Sequence, residues 1–282
     1  MISKEVLRLI KTTSKAKSSA INNTFTVWHL NINSTIMKKY IPNLITSLNL
    51  LSGCLAILFV ISGDLVIASL LVILGMFFDF FDGLVARLLQ VQSEIGKQLD
   101  SLADMVSFGV VPGLIMFQLL NKAIAPQALE TGFENVEIIK GLASGMSFIP
   151  FIGMLIIIAS AFRLAKFNID IRQTDSFIGL PTPANTLLII SLPLIFEFQY
   201  TAFIESVIFN QWFLIGVTII SSFLLNAELS LFALKFKTWD FSANKIRYVF
   251  LAISILAILL LKFIAIPIII SLYILTSLIW KE

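Results

Sequence analysis

The chain has 282 residues, of which 58% are hydrophobic and only 13% charged; soluble domains carry about a quarter charged residues. A mean hydropathy of +0.95 excludes a soluble enzyme and predicts an all-α, polytopic membrane helical bundle, because a chain in lipid must satisfy its backbone internally. The net charge of +3 says less than where the charges fall, and no nucleic-acid partner is expected from it.

Residues 1–38 are polar and mildly basic, with Lys4, Arg8, Lys11, Lys15 and Lys17. They lack the apolar stretch of a signal peptide. A flexible tail is expected, although residues 2–11 can form a short amphipathic surface helix. His29 is the one histidine and Cys54 the one cysteine. The first reads as a solvated residue, the second as a buried small hydrophobe.

Apolar runs then follow at about 44–62, 65–89, 97–120, 148–167, 182–198 and 212–234. A polar loop is expected over 121–145 and another over 168–181, where Gly179 and Pro181 break helix. The stretch 246–280 exceeds the ~20 residues of one span. Lys262 and Pro267 divide it, which predicts a hairpin. The sequence thus predicts about eight transmembrane helices: six within 39–240 and a C-terminal hairpin within 241–282.

Lys and Arg concentrate in alternate loops, at Lys38–Lys39, Arg87–Lys97, Arg163–Arg172, Lys235–Arg247 and Lys281. The other loops hold Lys122, Lys140 and Lys262. The positive-inside rule places the basic set, with both termini, on the cytoplasmic side. A multi-pass protein of the cytoplasmic (inner) membrane is expected.

Chemistry concentrates in residues 79–104, DFFDGLVARLLQVQSEIGKQLDSLAD. Charges at membrane depth are expensive. On helices, residues three and four apart share a face. Asp79, Asp82, Gly83 and Ala86 therefore share one face of the second helix, and Gly96, Asp100, Ala103 and Asp104 one face of the third. A short turn lets the faces oppose, and the small residues allow close approach or room for a ligand. Carboxylates without His or Cys suit hard divalent cations, and two ions would neutralise four aspartates. The pattern points to chemistry on a phosphate or diphosphate, with Arg87 able to contact phosphate. A divalent-cation transporter is the alternative, since intramembrane acids also mark ion pathways. No inverted repeat or broken helix pair of the transporter kind is evident in the sequence.

The same stretch fits D-x2-D-G-x2-A-R-x8-G-x3-D-x3-D at Asp79, Asp82, Gly83, Ala86, Arg87, Gly96, Asp100 and Asp104. It resembles the signature of the CDP-alcohol phosphatidyltransferase family, over about residues 40–240. The resemblance implies a six-helix core, two Mg²⁺ or Mn²⁺ ions, a homodimer, and displacement of CMP from a CDP-linked lipid by an alcohol. It implies that Asp79, Asp82, Asp100 and Asp104 are metal ligands and that Asp104 is also the base, without apportioning the two roles. It assigns Asn43, Thr46, Gly83, Ala86, Arg87 and Ser93 to the CDP-lipid; read without the family, Asn43 is a helix cap.

Two further stretches resemble the phosphatidylserine synthase branch: DMVSFGVVPG, from Asp104 through Ser107, Phe108, Gly109 and Pro112, and FRLAKFN…FIGLPTPAN, from Phe162 to Asn185. They imply transfer of the phosphatidyl group of CDP-diacylglycerol to L-serine. Arg163 and Lys166, with Arg172 beyond, offer cations for the serine carboxylate or the lipid phosphate, or are plain positive-inside residues. A sister transferase using glycerol 3-phosphate, inositol or another alcohol is the alternative, since the aspartate stretch does not choose the alcohol. An aspartyl-phosphate intermediate is the alternative to direct displacement.

Overall fold

Each backbone N–H and C=O at membrane depth must pair within its own segment, and the apolar runs comply as helices. A computed structural model describes residues 38, 40–124, 148–170, 177–231 and 244–279. The expected tail up to residue 37, with His29, lies outside the described residues. So do residues 125–147 of the expected polar loop and the cations Arg172, Lys235 and Lys237.

Helix α1 is Tyr40–Ile61, α2 Leu65–Leu88, α3 Glu94–Ile124 and α4 Ile149–Ile169. Next come α5 (Thr182–Phe198), α6 (Ala202–Ile208) and α7 (Gln211–Asn226). The last two are α8 (Lys245–Leu261) and α9 (Ala265–Ile279). Five helical stretches among the described residues are long and apolar enough to cross a membrane, and α6 with α7, bent by 57°, makes a sixth. The fifth of those stretches, Arg247–Ile279, is folded back on itself. The Phe250 and Tyr273 rings lie 6.0 Å apart, whereas a straight helix would separate these positions by about 34 Å. The fold occurs at Lys262, whose φ of 50° takes the backbone out of the helix. The protein is therefore a multi-pass helical membrane bundle with the expected C-terminal hairpin.

α3 is the central helix. It packs against α4 and α5, and its Val111–Leu120 stretch is largely buried. Small residues bring its neighbours close, as in other membrane bundles. A Cβ added at Gly153 of α4 would stand 2.7 Å from the Phe117 backbone nitrogen, and one added at Gly113 would collide with Ile157. Gln118 reaches α1 by donating to the Val60 carbonyl at 3.1 Å. At the end of α3, the Lys122 ammonium sits over the Phe196 and Phe209 rings, at 5.3 and 5.0 Å. Gln199, just after α5, donates to the Leu261 carbonyl and accepts from the Ile264 N–H, which clips the hairpin turn to the core.

Four sequence expectations need correction. The sixth span ends at Asn226 rather than Leu234, because Ala227 turns extended and the chain pairs with the segment before α5. Ser230–Leu231 and Phe177–Ile178 form a two-residue antiparallel pairing, Phe177 opposite Leu231. Gly179, at φ 76°, makes this possible, since a Cβ there would lie 2.8 Å from the Leu225 carbonyl oxygen. Second, a broken helix pair exists: α6 and α7 start separately, at the Thr201 and Asn210 caps. This break lies at the membrane face opposite the aspartates. Third, α3 begins at Glu94, three residues earlier than expected, because the Ser93 hydroxyl accepts from Gly96 N–H at 3.0 Å and caps it. Fourth, Cys54 is exposed on the outside of the bundle. In hydrocarbon an apolar side chain needs no protein cover, so hydrophobicity alone does not send it inward.

Candidate active site

α2 and α3 are consecutive antiparallel helices, joined by a turn in which Gln90 takes a φ of 54°. The aspartate faces meet at this end. Carboxylate oxygens of Asp79, Asp82 and Asp100 all lie within 4.8 Å of one another. Asp104 lies one turn deeper, within hydrogen-bonding reach of Asp79 and Asn49. The Asn49 amide donates to Asp104 Oδ1 at 3.2 Å.

Four carboxyl groups this close repel, and the low dielectric of the site strengthens the repulsion. The nearest cations of the turn are directed to backbone carbonyls: Arg87 Nε to Gly83 at 3.0 Å and Lys97 Nζ to Asn168 at 3.1 Å. Buried Asp82 keeps its Oδ2 without a hydrogen-bond partner among the described residues. An all-carboxylate set with one orphaned buried oxygen fits a hard divalent cation.

The residues assigned to the CDP-lipid surround this cluster. The Thr46 hydroxyl is buried, lies beside Asp82 and donates to the Pro42 carbonyl at 3.0 Å. Asn43 sits inside the first turns of α1 rather than capping it. A Cβ added at Gly96 would stand 3.1 Å from both Asn43 Oδ1 and Ser93 Oγ, so the starts of α1 and α3 converge there. Around Gly83, by contrast, a Cβ would meet nothing within 4 Å. That is open space next to two carboxylates. Ala86 is half-buried on the same face, and the Arg87 side chain is exposed.

The α3–α4 register places the candidate acceptor residues. The Asn168 side chain donates to Ser101 Oγ at 2.9 Å, and a Cβ at Gly109 would meet Ser160 at 3.2 Å. In antiparallel helices these two pairings put Asp104 level with the stretch from Arg163 to Lys166. Arg163 is buried, not a surface charge; its guanidinium lies 5.4 Å from the Phe167 ring and its Nε has no partner among the described residues. Lys166 is exposed. Both line a cavity of about 320 Å³ with Asp170, Asn226 and Glu228.

One conformation and two residues escaped the sequence reading. A π-helical turn, Met105–Val110, follows Asp104 directly; such turns recur at functional sites. Thr186 of α5 reaches it, with Oγ1 2.9 Å from the Phe108 carbonyl. Asn49 is the other. Asn43, Thr46 and Asn49 recur every third residue along an otherwise apolar helix, a polar stripe that could have revealed it.

The CDP-alcohol phosphatidyltransferase family model matches residues 39–215. Over 149 residues the chain is 37% identical to the CDP-diacylglycerol–serine O-phosphatidyltransferase of Bacillus subtilis, covering 51% of this chain and 70% of that protein. It is 36% identical over 151 residues to the CDP-diacylglycerol–serine O-phosphatidyltransferase of Helicobacter pylori, covering 53% of this chain and 55% of that protein. Identity is 32% over 154 residues to the archaetidylserine synthase of Methanothermobacter thermautotrophicus, covering 54% of this chain and 56% of that protein. The match thus spans little more than half the length of the last two relatives. Since the matched segment takes up more than half of the sequence and contains the whole aspartate cluster, the chain belongs to the CDP-alcohol phosphatidyltransferase family.

Proposed function

We propose that the protein transfers the phosphatidyl group of CDP-diacylglycerol to the hydroxyl of L-serine, giving phosphatidylserine and CMP. The convergence of Asp79, Asp82 and Asp100 on one point beside open space at Gly83 carries the reading. The relatives' printed activities support serine as the acceptor. Asp79, Asp82, Asp100 and Asp104 would hold the divalent ions, Mg²⁺ or Mn²⁺, which when bound offset the charge of the carboxylates and of a diphosphate.

The chain's own residues do the rest. The space at Gly83 admits the diphosphate against the helix backbone. Arg87, tethered through Nε to Gly83, keeps its terminal N–H groups for phosphate oxygens. Asn43, Thr46, Ala86 and Ser93 line the nucleotide end. Asp104 takes the proton from the serine hydroxyl. The serine oxygen then bonds to the lipid-side phosphorus as the bond to the CMP oxygen breaks, and CMP leaves with the electron pair. Arg163 and Lys166 face a zwitterion well: cations for the serine carboxylate, with Asp170 and Glu228 in the same cavity for its ammonium. Following the Lys/Arg asymmetry, the aspartate end and both termini face the cytoplasm, and the active form is a homodimer, as in the family.

The test is an acceptor assay on purified protein with CDP-diacylglycerol, offering serine, glycerol 3-phosphate and inositol in turn. Serine should give phosphatidylserine and stoichiometric CMP. EDTA should abolish this, and Mg²⁺ or Mn²⁺ should restore it. Turnover with another alcohol but not with serine would overturn the acceptor assignment.

A further inference from the structure

Asn49 lies in the middle of an apolar helix and is wholly buried. Its amide nitrogen donates to Asp104 Oδ1, while its own Oδ1 has no partner among the described residues. Only the NH₂ end of a primary amide can face a carboxylate oxygen; the reverse orientation sets oxygen against oxygen. The amide is therefore turned towards Asp104 although this leaves its carbonyl unsatisfied. Buried polar groups in that condition call for an explanation.

Two neighbouring helices, α2 and α3, close round this residue of α1. Ser107, in the π-turn that follows Asp104, donates to the Asn49 backbone carbonyl at 3.1 Å. Gly53, one turn along α1, leaves room for Ser107, since an added Cβ would collide with Ser107 Oγ. Gly75 of α2, one turn before Asp79, leaves room for the amide: an added Cβ would stand 3.0 Å from Asn49 Oδ1.

We propose that Asn49 is the positioning residue for Asp104. The inference rests on the transferase reading above. The amide pins one carboxylate oxygen and so fixes the plane of the carboxyl group. With the plane fixed, Oδ2 presents its lone pairs in set directions, and one of them takes the proton of the acceptor hydroxyl. Asn49 does not touch the reacting atoms; it acts only through Asp104.

A bond that merely held α1 against α3 would, when lost, change stability and binding together. A positioning bond changes turnover. In the purified full-length chain with CDP-diacylglycerol and serine, Asn49→Leu should lower kcat about a hundredfold, the effect of a small misplacement of a reacting group. KM for both substrates and metal-dependent CDP-diacylglycerol binding should stay within about threefold. Added to Asp104→Asn, the same substitution should cause no further loss of the residual rate, because the group it orients is no longer competent. Unchanged kcat in Asn49→Leu, a raised KM with normal kcat, or a further loss in the double variant would each overturn the proposal. If Asn49→Leu does not fold, Gly75→Ala crowds the amide from the neighbouring helix and should lower kcat with KM unmoved; normal kcat there counts against it equally. Wild-type turnover separates the two levels. Activity with an alcohol other than serine reassigns the acceptor, and the Asn49 comparison is then made with that alcohol. No consumption of CDP-diacylglycerol with any alcohol removes both readings.

Discussion

Asp82 carries a buried carboxylate oxygen that no described donor reaches. Such an atom costs about 1–3 kcal/mol, and more when charged, so it destabilises the fold until a ligand reaches it. Asp82→Asn should therefore separate activity from stability. Turnover should fall more than about a hundredfold, and a metal titration should show weakened affinity. Without metal, however, the variant should melt no lower than the parent, since one charge has left a mutually repelling group. A clear drop in its metal-free melting temperature would count against the cluster being a metal site. Gly83→Ala tests the neighbouring space. Nothing obstructs the new methyl and alanine favours helix over glycine, so the variant should melt no lower than the parent, while KM for CDP-diacylglycerol should rise about tenfold. At this scale the aspartates were legible because fixed helical spacing converts sequence distance into a shared face. The role of Asn49 was not, because it depends on which side of α1 meets Asp104. Cys54 misled for a related reason: in lipid the outer surface is as apolar as the core.

Elements were read well where the sequence punctuates them and poorly where tertiary contacts decide. Lys262 does mark the turn of the last hairpin, but Pro267 lies inside α9 rather than in the break. Lys262 adopts φ 50° and ψ −123°, a region natural to glycine. Lys262→Gly should raise stability by about 1 kcal/mol, measurable as a higher melting temperature in detergent with unchanged turnover. The α3–α4 contact is the opposite case. Gly153→Ala places a methyl against the Phe117 backbone, which cannot rotate away, and should cost about 1–3 kcal/mol. The helix end at Asn226 and the π-turn after Asp104 were hidden, since a neighbouring segment bonds to each, whereas the break between α6 and α7 is punctuated locally by the Thr201 and Asn210 caps. Gly179 and Leu180, which hydrogen-bond to Leu229 and Leu224, show this for Asn226.

For the molecule as a whole, charge asymmetry predicts orientation, and the structure adds which groups share an end. The aspartates, Arg87, Arg163 and Lys166 all lie at one end of the helical bundle, whereas Lys122 and Lys262 lie at the other. A reporter fused after Glu282 should score as cytoplasmic; an external score would invert the assignment and separate the site from cytoplasmic serine. The short connection between α2 and α3 has a consequence for biogenesis. All four clustered aspartates, and the amide that holds Asp104, belong to the first three spans. The chain segments that meet here are neighbours in sequence, so little loop-closure entropy opposes their meeting. The aspartate pocket can therefore form while the ribosome is still making α4 and the spans after it. The later spans, which contribute Arg163, Lys166 and Thr186, then pack against this preformed end of the bundle.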